Sequence, residues 1–224
     1  MSDLVQREEI LRIGRMLHEK CFIAASDGNI SVRLDDRSLL VTPTCMSKGM
    51  LAPGDLLVVD MKGQRLSGFR NVSSEIGMHL MIYHVRPDVN AIVHAHPPVA
   101  TSFAAAGIAL DQALVSEIVL ALGAVPLSQY ATPGSKQLCD NIEPHIKNHD
   151  AVLMANHGVV TCAHDLMQAY MHMETVEHFA KIALITHQLG CPRFLPEDEV
   201  HRLGEMRKRI NALRASATNN SPTK

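Results

Sequence analysis

The sequence predicts an α/β fold in which a mostly antiparallel sheet is covered by helices. Short apolar runs with strand-like patterns are joined in several places by only a few residues, and such links cannot make the crossover that a parallel pair requires. Stretches with helical spacing lie between those runs. The chain has 224 residues, 46% of them hydrophobic, and no linker-like stretch divides it. We therefore predict one domain with a sizeable core.

The first half of the chain predicts two helices and three strands. Apolar residues at helical spacing mark the first helix, and a polar turn at residues 35–37 joins two strand-like runs as a hairpin. Ser73 or Ser74 can cap the second helix, which ends before Pro87. The predicted elements are a helix over 4–20, strands over 30–33, 38–42 and 56–60, and a helix from 73 or 74 to about 85.

The second half continues this alternation and ends in helices. Pro97-Pro98 opens a short helix after a buried strand, and Gly190 with Pro192 ends a long one. The predicted strands cover 91–94, 125–127 (at a sheet edge), 151–154 and 159–161, and the predicted helices cover 99–106, 135–146, 165–189 and 198–213. Residues 216–224 are polar, and we predict a disordered tail there.

Composition argues against several classes of partner. The formal net charge is −2, so there is no general electrostatic reason to bind nucleic acid or a membrane surface. Tryptophan is absent and aromatic residues make up only 4%, which disfavours a platform for stacking bases. The first residues lack the apolar core of a signal peptide, and five cysteines show no CxxC spacing. We expect a cytoplasmic protein with reduced thiols.

The pair His94 and His96 is the strongest sign of chemistry. It ends an apolar run, and residues i and i+2 of a strand point to the same face, so both imidazoles can aim at one metal ion. His157 follows another apolar run, and Gly158 permits a tight backbone beside it. Most other histidines among the 13 are expected to be surface or structural residues, because an isolated histidine usually is one.

Glu75 has two interpretations. As the residue at a helix start it would be favoured by the helix dipole alone. As a carboxylate beside the histidines it would be a general base whose pKa is tuned by a metal ion and by partial desolvation. Three histidines and one glutamate are a plausible ligand set for a divalent cation, which would act as a Lewis acid on a substrate carbonyl or hydroxyl.

Three polar clusters offer donors to an anion, although each could also be an ordinary turn or cap. Nucleotide-binding and serine-hydrolase motifs (GxGxxG, GxxxxGKS and GxSxG) do not occur in the sequence. The clusters are Gly28-Asn29, Thr44 with its neighbours, and Ser73-Ser74.

Five motifs occur in an order and spacing that resemble those of the class II aldolase/adducin family, over about residues 4–189. The resemblance implies a single three-layer α/β/α domain over 1–215. It also implies fourfold-symmetric tetramers with active sites at the subunit interfaces. The motifs are Gly28-Asn29-Ile30-Ser31-Val32-Arg33, Thr42-Pro43-Thr44, Ser73-Ser74-Glu75, His94-Ala95-His96 and Asn156-His157-Gly158.

The resemblance also implies roles for individual residues. His94, His96 and His157 match zinc ligands, and Glu75 matches a residue that acts as acid and base and can also bind the metal. Zinc suits such ligands best, although iron, manganese and cobalt also fit. Cys45 stands where the family's aldolases have a glycine whose backbone N–H meets phosphate. The other phosphate-binding positions match Asn29, Thr44, Ser73 and Ser74.

Glu117 is the main departure from the family's aldolases, which carry a tyrosine near this point to protonate the leaving alkoxide. The resemblance favours an aldolase that cleaves a small ketose 1-phosphate to dihydroxyacetone phosphate and an aldehyde. A glutamate is found there in dehydratases of the family, so dehydration or decarboxylation of a sugar phosphate is the alternative. Glu75 speaks against the family's epimerases, which carry aspartate at that position. A non-catalytic role is disfavoured because the adducin branch lacks the metal ligands.

Overall fold

The computed structural model describes the backbone of residues 3–219 and the side chains of residues 3–213. The helices are α1 Asp3–Glu19, α2 Ile76–Val85, α3 Pro98–Ala105, α4 Ser116–Ala121, α5 Lys136–Ile146, α6 Leu166–Gln188 and α7 Glu197–Asn219. The strands are β1 Asn29–Asp35, β2 Ser38–Val41, β3 Leu57–Asp60, β4 Arg65–Ser67, β5 Ala91–Ala95, β6 Leu127–Ser128, β7 Ala151–Met154 and β8 Gly158–Ala163.

One sheet of eight strands, in the order β4-β3-β2-β1-β5-β8-β7-β6, runs through the described residues. Only β6 pairs in parallel, with β7, and the other neighbours are antiparallel. The predicted α/β class with a mostly antiparallel sheet is therefore confirmed. β1 and β5 are neighbours although 55 residues, which include β2 to β4 and α2, lie between the end of β1 at Asp35 and the start of β5 at Ala91.

Each face of the sheet packs against helices, which produces the three-layer arrangement. Ile30 and Val93 join the apolar core that includes residues of α1, α3 and α6 on one face. Ile92 and Val160 join the second core, with residues of α2 and α5, on the other face. Because Val93 and Ile92 are consecutive in β5, this strand is buried on both sides. His94 follows the period of two and points toward the layer that contains α2.

The structure differs from the prediction at the start of the second helix. α2 begins at Ile76, and Glu75 is its N-cap residue with no side-chain capping bond. The prediction that Ser73 or Ser74 caps this helix is therefore wrong. The Ser73 hydroxyl instead accepts a hydrogen bond from the Glu75 backbone N–H, 3.2 Å away, because the chain makes a further turn before the helix starts.

Among the strands and α-helices two short elements were missed, namely the exposed strand β4 and the six-residue helix α4, and the prediction also lacks the 3-10 helices Lys48–Met50 and Pro53–Asp55. α7 extends to Asn219, so the tail predicted over 216–224 starts inside this helix, and residues 220–224 lie outside the described part of the chain. The five cysteines are all free thiols. Among residues 3–219, no helix is both long enough and apolar enough to span a membrane.

Candidate active site

His94 and His96 converge at the end of β5, as the strand period predicts. The Nδ1 of His94 lies 2.9 Å from the carbonyl oxygen of Val159 on β8, so this nitrogen donates and leaves the Nε2 lone pair free. The Nε2 atoms of His94 and His96 are 3.2 Å apart. His96 lies just beyond the strand, where its backbone N–H donates to the carbonyl of Phe22 over 2.8 Å.

His157 approaches the pair from the turn between β7 and β8. Its ring centroid is 4.8 Å from that of His94 and 5.2 Å from that of His96. One ligand nitrogen from each of the three rings lies within 4.8 Å of the others. Gly158 makes this approach possible, since an added Cβ would lie only 2.7 Å from the Ala95 carbonyl oxygen and would also collide with the His96 ring.

Glu75 places its carboxylate between two of these rings. Its Oε2 is 3.3 Å from His94 Nε2, and its Oε1 is 3.3 Å from His157 Nε2. Oε2 also accepts a hydrogen bond of 2.8 Å from the amide nitrogen of Asn29. Oε1 is buried without a hydrogen-bond partner, and a buried carboxylate oxygen in that state is suited to a cation or a proton.

The charges of this cluster favour an ionised Glu75 and neutral rings of His96 and His157. Burial opposes ionisation of Glu75, but hydrogen bonding and charge attraction from His94, with smaller contributions from His157 and Asn29, hold the pKa of this carboxyl below its usual range. Burial, followed by repulsion from His94, lowers the pKa of His157 to about 4 and also lowers the pKa of His96. Neutral rings keep their lone pairs available at pH 7.

The donor set fits a divalent metal. It contains three imidazoles that converge on one point and a carboxylate oxygen that lacks another partner. The three imidazoles alone would leave a fourth coordination position, which the Glu75 carboxylate or a substrate could fill, as in catalytic zinc sites. The hydrogen bond from His94 to Val159 is the kind of outer contact that fixes a ligating ring.

Two residues that the sequence analysis did not identify as functional, Asp27 and Lys48, hold parts of the site in position. Asp27 has its Oδ2 3.5 Å from His96 Nδ1 and thus faces that ring. Lys48 is buried, and its ammonium donates to the carbonyls of Ser26 and Met46 at 2.5 and 2.9 Å. It therefore joins the loop before Gly28 to the loop after Thr44. Burial lowers the pKa of Lys48.

Gly28 is required by close packing and by its backbone conformation. Its φ is +70°, and a Cβ there would lie 2.7 Å from the carbonyl oxygen of His94. This approach brings the neighbouring Asn29 beside the histidines, where its amide reaches Glu75. Of the predicted anion-binding residues, Gly28 and Asn29 therefore lie in the cluster itself.

The other predicted anion-binding residues lie in two neighbouring backbone segments, residues 43–45 and residues 71–75. Pro43 and Val72 make an isolated β-bridge, and the N–H of Thr44 donates to the carbonyl of Asn71 over 3.1 Å. The loop with Thr44 and Cys45 thus lies beside the segment that leads to Ser73, Ser74 and Glu75. The bridge makes these distant stretches of sequence neighbours in space.

Cys45 adopts a φ of +57°, the left-handed conformation that glycine takes without strain. It lines a cleft of about 310 Å³ together with Thr44, Met46, Phe69, Arg70 and Asn71. Arg70, which belongs to this lining, pairs with Asp55 at 2.8 Å.

Glu117 lies apart from this cluster in the described part of the chain. It sits exposed in the first turn of α4, where its Oε2 accepts a hydrogen bond of 3.3 Å from the hydroxyl of Ser116. Within residues 3–213, no hydrogen bond or ion pair joins it to the histidines. In the described part of the chain Glu117 therefore makes no polar contact with the histidines.

Three further polar side chains, Ser31, His79 and Tyr83, are buried behind the site, and the sequence analysis assigned none of them a role there. The spacing of these residues in the sequence could have indicated that they lie together. Asn29 and Ser31 are two residues apart on a strand, while Glu75, His79 and Tyr83 are spaced by four on a helix, so each set shares one face.

Comparisons with known proteins agree with the motif-based resemblance. The family model described as "Class II Aldolase and Adducin N-terminal domain" matches residues 8–184. A 5-deoxy-D-ribulose 1-phosphate aldolase of Bacillus thuringiensis serovar kurstaki is 34% identical over 202 residues, which are 89% of this chain and 94% of that one. A 3-oxo-tetronate 4-phosphate decarboxylase of Haemophilus influenzae is 35% identical over 208 residues, covering 91% of this chain and 98% of that one.

The fold also matches a solved structure. An L-fuculose 1-phosphate aldolase superposes with a TM-score of 0.84 at 33% identity, covering 90% of this chain and 95% of that one. The relatives thus include two aldolases and a decarboxylase, all of which act on phosphorylated compounds by their names.

Proposed function

The chain belongs to the class II aldolase and adducin family, and from this premise we propose that it is a metal-dependent aldolase that cleaves a small ketose 1-phosphate to dihydroxyacetone phosphate and an aldehyde. The observation that carries the proposal is the position of Glu75. Its carboxylate faces His94 and His157 at 3.3 Å each and retains one oxygen without a hydrogen-bond partner.

His94, His96 and His157 are proposed to hold the metal, with Glu75 as a further ligand when substrate is absent. Zinc is the proposed ion, because imidazole nitrogens in a converging set suit it well. When bound, it would act as a Lewis acid that polarises the substrate's C2 carbonyl and stabilises the charge that develops on that oxygen.

Glu75 is proposed as the acid and base at carbon. In cleavage the C4 hydroxyl would lose its proton to a base, for which Glu117 of a neighbouring subunit is the proposed group, as C4 becomes the aldehyde and the C3–C4 bond breaks. C3 keeps the electron pair, and Glu75, once protonated from solvent, would deliver a proton to it. In the direction of synthesis the same carboxylate would remove that proton. Although burial opposes ionisation of Glu75, hydrogen bonding and charge attraction from His94 keep it as a carboxylate that can accept a proton, and Asn29 holds its Oε2 atom in place.

The phosphate is proposed to bind beside Glu75, where the backbone segments 43–45 and 71–75 lie next to each other. Thr44, Ser73 and Ser74 offer hydroxyls, and the backbone N–H of Cys45 is a further donor. Gly28 admits the close approach that brings the amide of Asn29 to the same place.

Decarboxylation is the second candidate, because one relative with 35% identity is a 3-oxo-tetronate 4-phosphate decarboxylase. The same metal site and phosphate site would serve it. Glu117, exposed on α4 of its own subunit, would act in a neighbouring subunit under either reaction. We therefore include a homotetramer with interfacial active sites in the proposal.

The test is product release by metal-loaded protein. A panel of ketose 1-phosphates is assayed for dihydroxyacetone phosphate through a coupled NADH reaction, with and without added zinc. A 3-oxo sugar acid phosphate is assayed in parallel for release of CO₂. Zinc-dependent formation of dihydroxyacetone phosphate is the expected result. Release of CO₂ alone would contradict the aldolase proposal and support the decarboxylase.

A further inference from the structure

A line of five polar side chains runs from the site into the layer between the sheet and α2. The amide nitrogen of Asn29 lies 2.8 Å from Glu75 Oε2, and the amide oxygen of Asn29 lies 2.5 Å from His79 Nε2. His79 Nδ1 is 2.6 Å from the hydroxyl of Ser31, which in turn is 2.8 Å from the hydroxyl of Tyr83. All five side chains are buried.

The chemistry of these groups allows one direction of donation. A carboxylate only accepts, so the atom of Asn29 that faces Glu75 has to be its nitrogen. The oxygen of Asn29 then faces His79 and requires a donor, which makes Nε2 the protonated nitrogen of the ring. His79 Nδ1 consequently accepts from the Ser31 hydroxyl.

The line ends at Tyr83, whose hydroxyl donates to Ser31. Arg33 covers this end, with its guanidinium carbon 4.8 Å from the centroid of the Tyr83 ring and its Nη2 donating to the Tyr83 carbonyl over 3.0 Å. Burial lowers the pKa of His79 to about 3, so its ring is neutral at pH 7 and keeps one donor and one acceptor.

We propose that His79 is a positioning residue, which holds the amide of Asn29 so that its nitrogen, and not its oxygen, faces Glu75 and the incoming substrate. This inference rests on the proposed function, because it assigns His79 to the proton transfer that Glu75 performs. His79 itself touches neither the reacting carbon nor the histidine cluster.

The physical reason is the near symmetry of an amide side chain. The two ends of the Asn29 amide have almost the same shape, so packing alone does not select between them. With the amide reversed, an oxygen would face the Glu75 carboxylate at 2.8 Å and two acceptors would repel each other. The donor at His79 Nε2 excludes this arrangement.

The first experiment measures the His79 tautomer in wild-type protein with zinc bound. Histidine labelled with ¹⁵N is followed by two-dimensional NMR, and the His79 signals are assigned by their loss in His79→Gln. The expected result is a proton on Nε2 and none on Nδ1. A ring protonated on Nδ1 would overturn the proposal, because Asn29 would then lack the donor that orients it.

The second experiment isolates the proton transfer. Dihydroxyacetone phosphate is incubated in D₂O with metal-loaded protein, and exchange of a hydrogen on its hydroxymethyl carbon is followed by NMR. His79→Leu removes the donor and is expected to lower the exchange rate constant by about 100-fold, the scale of effect for a misplaced catalytic group. Its zinc content, measured by atomic emission, is expected to stay at the wild-type value.

Two matched variants separate positioning from general damage. His79→Gln keeps an N–H that can donate to Asn29 and is expected to recover most of the exchange rate. Tyr83→Phe removes a buried hydroxyl from the far end of the line, yet leaves the contact between Ser31 and His79, and is expected to exchange at close to the wild-type rate. Equal losses in His79→Leu, His79→Gln and Tyr83→Phe would overturn the proposal.

The two proposals fail in different ways. If wild-type protein with bound zinc exchanges no hydrogen of dihydroxyacetone phosphate, the aldolase function fails, and the tautomer measurement still decides whether His79 orients Asn29. If wild-type protein exchanges normally and folded His79→Leu does so equally fast, only the role of His79 is overturned. Should His79→Leu fail to fold, His79→Gln and the wild-type tautomer remain as the tests.

Discussion

Asn29 and His94 are directly opposite each other in the antiparallel pairing of β1 with β5. This register brings the amide of Asn29 to the face of the sheet on which the His94 ring meets Glu75. A slip of one residue would turn every side chain of β1 to the other face and remove the amide from the site. The register of the two central strands β1 and β5 therefore positions Asn29 and His94, and the loops supply the remaining residues of the site.

Replacing His157 with alanine is expected to remove a metal ligand while leaving the fold intact. Removing contacts that merely orient a ligand commonly costs 10–100-fold in affinity, so loss of a direct ligand is expected to weaken zinc binding by at least about 10-fold. Competition with a zinc-binding dye measures the affinity. His201→Ala, an exposed position on α7, is the control and is expected to bind zinc normally. Unchanged affinity in His157→Ala would argue against the three-histidine site.

Glu75→Gln is expected to lower turnover strongly and to leave zinc bound, since the three imidazoles remain. The expected loss in kcat is about 10²–10⁴-fold, the usual contribution of a group that transfers a proton in the transition state. Glu8→Gln, on the exposed surface of α1, serves as the matched control. A Gln variant that turns over at the wild-type rate would exclude Glu75 as the acid and base.

Local periodicity is what made part of the site predictable. A strand repeats every two residues, so His94 and His96 could be placed on one face without knowledge of the fold. The contact between Glu177 and the start of α3 joins residues 77 and 78 positions apart, and no local pattern encodes it. The loops joined by Lys48 are a second example.

Contacts between residues distant in the sequence also determine where α2 starts and where Glu117 lies, and local patterns do not encode them. Serine before an apolar stretch predicts a cap, yet the structure adds a turn and makes Glu75 the N-cap residue, because contacts with the histidines and Asn29 hold its carboxylate. The position of Glu117 on an exposed helix end depends on packing between α4, α6 and α7, which the short sequence pattern around it does not specify.

Gly158→Ala is expected to disturb the site through sterics alone. The new methyl group would lie 2.7 Å from the Ala95 carbonyl oxygen and would strike the His96 ring, so the backbone or the ring has to move. Such overpacking commonly costs about 1–3 kcal/mol of unfolding free energy, and zinc affinity is expected to fall as well. Chemical denaturation with a parallel zinc titration measures both effects.

The control for this variant is Gly204→Ala in α7, where an added Cβ meets no atom within 4 Å. Alanine favours the helix over glycine by about 0.5–1 kcal/mol, so this variant is expected to be stabilised slightly and to bind zinc normally. If the two variants change stability and zinc affinity alike, the close approach at Gly158 has no special role.

Mixed oligomers test whether Glu117 completes a neighbouring active site. Glu75→Gln and Glu117→Gln subunits, co-expressed with different tags and purified through both, are each expected to be inactive alone. If each site combines the two residues from different subunits, random mixing leaves about a quarter of the sites with both carboxylates and restores activity. Mixed oligomers without activity, or a monomeric protein in light scattering, would contradict an interfacial site.

Glu177 is expected to stabilise the helix that follows His96. α3 starts after Pro97, which has no side-chain group to cap it, and the buried Glu177 carboxylate on α6 accepts from the N–H groups of Val99 and Ala100 at 3.1 and 2.9 Å. Glu177→Leu leaves these donors unpaired in the interior, which is expected to cost about 1–3 kcal/mol of unfolding free energy. Urea denaturation measures the loss.

Glu174→Gln, on the same helix and partly exposed beside Lys20, is expected to change the unfolding free energy by about 1 kcal/mol or less. A Glu177→Leu protein as stable as Glu174→Gln would show that water or backbone adjustment replaces the carboxylate at the start of α3.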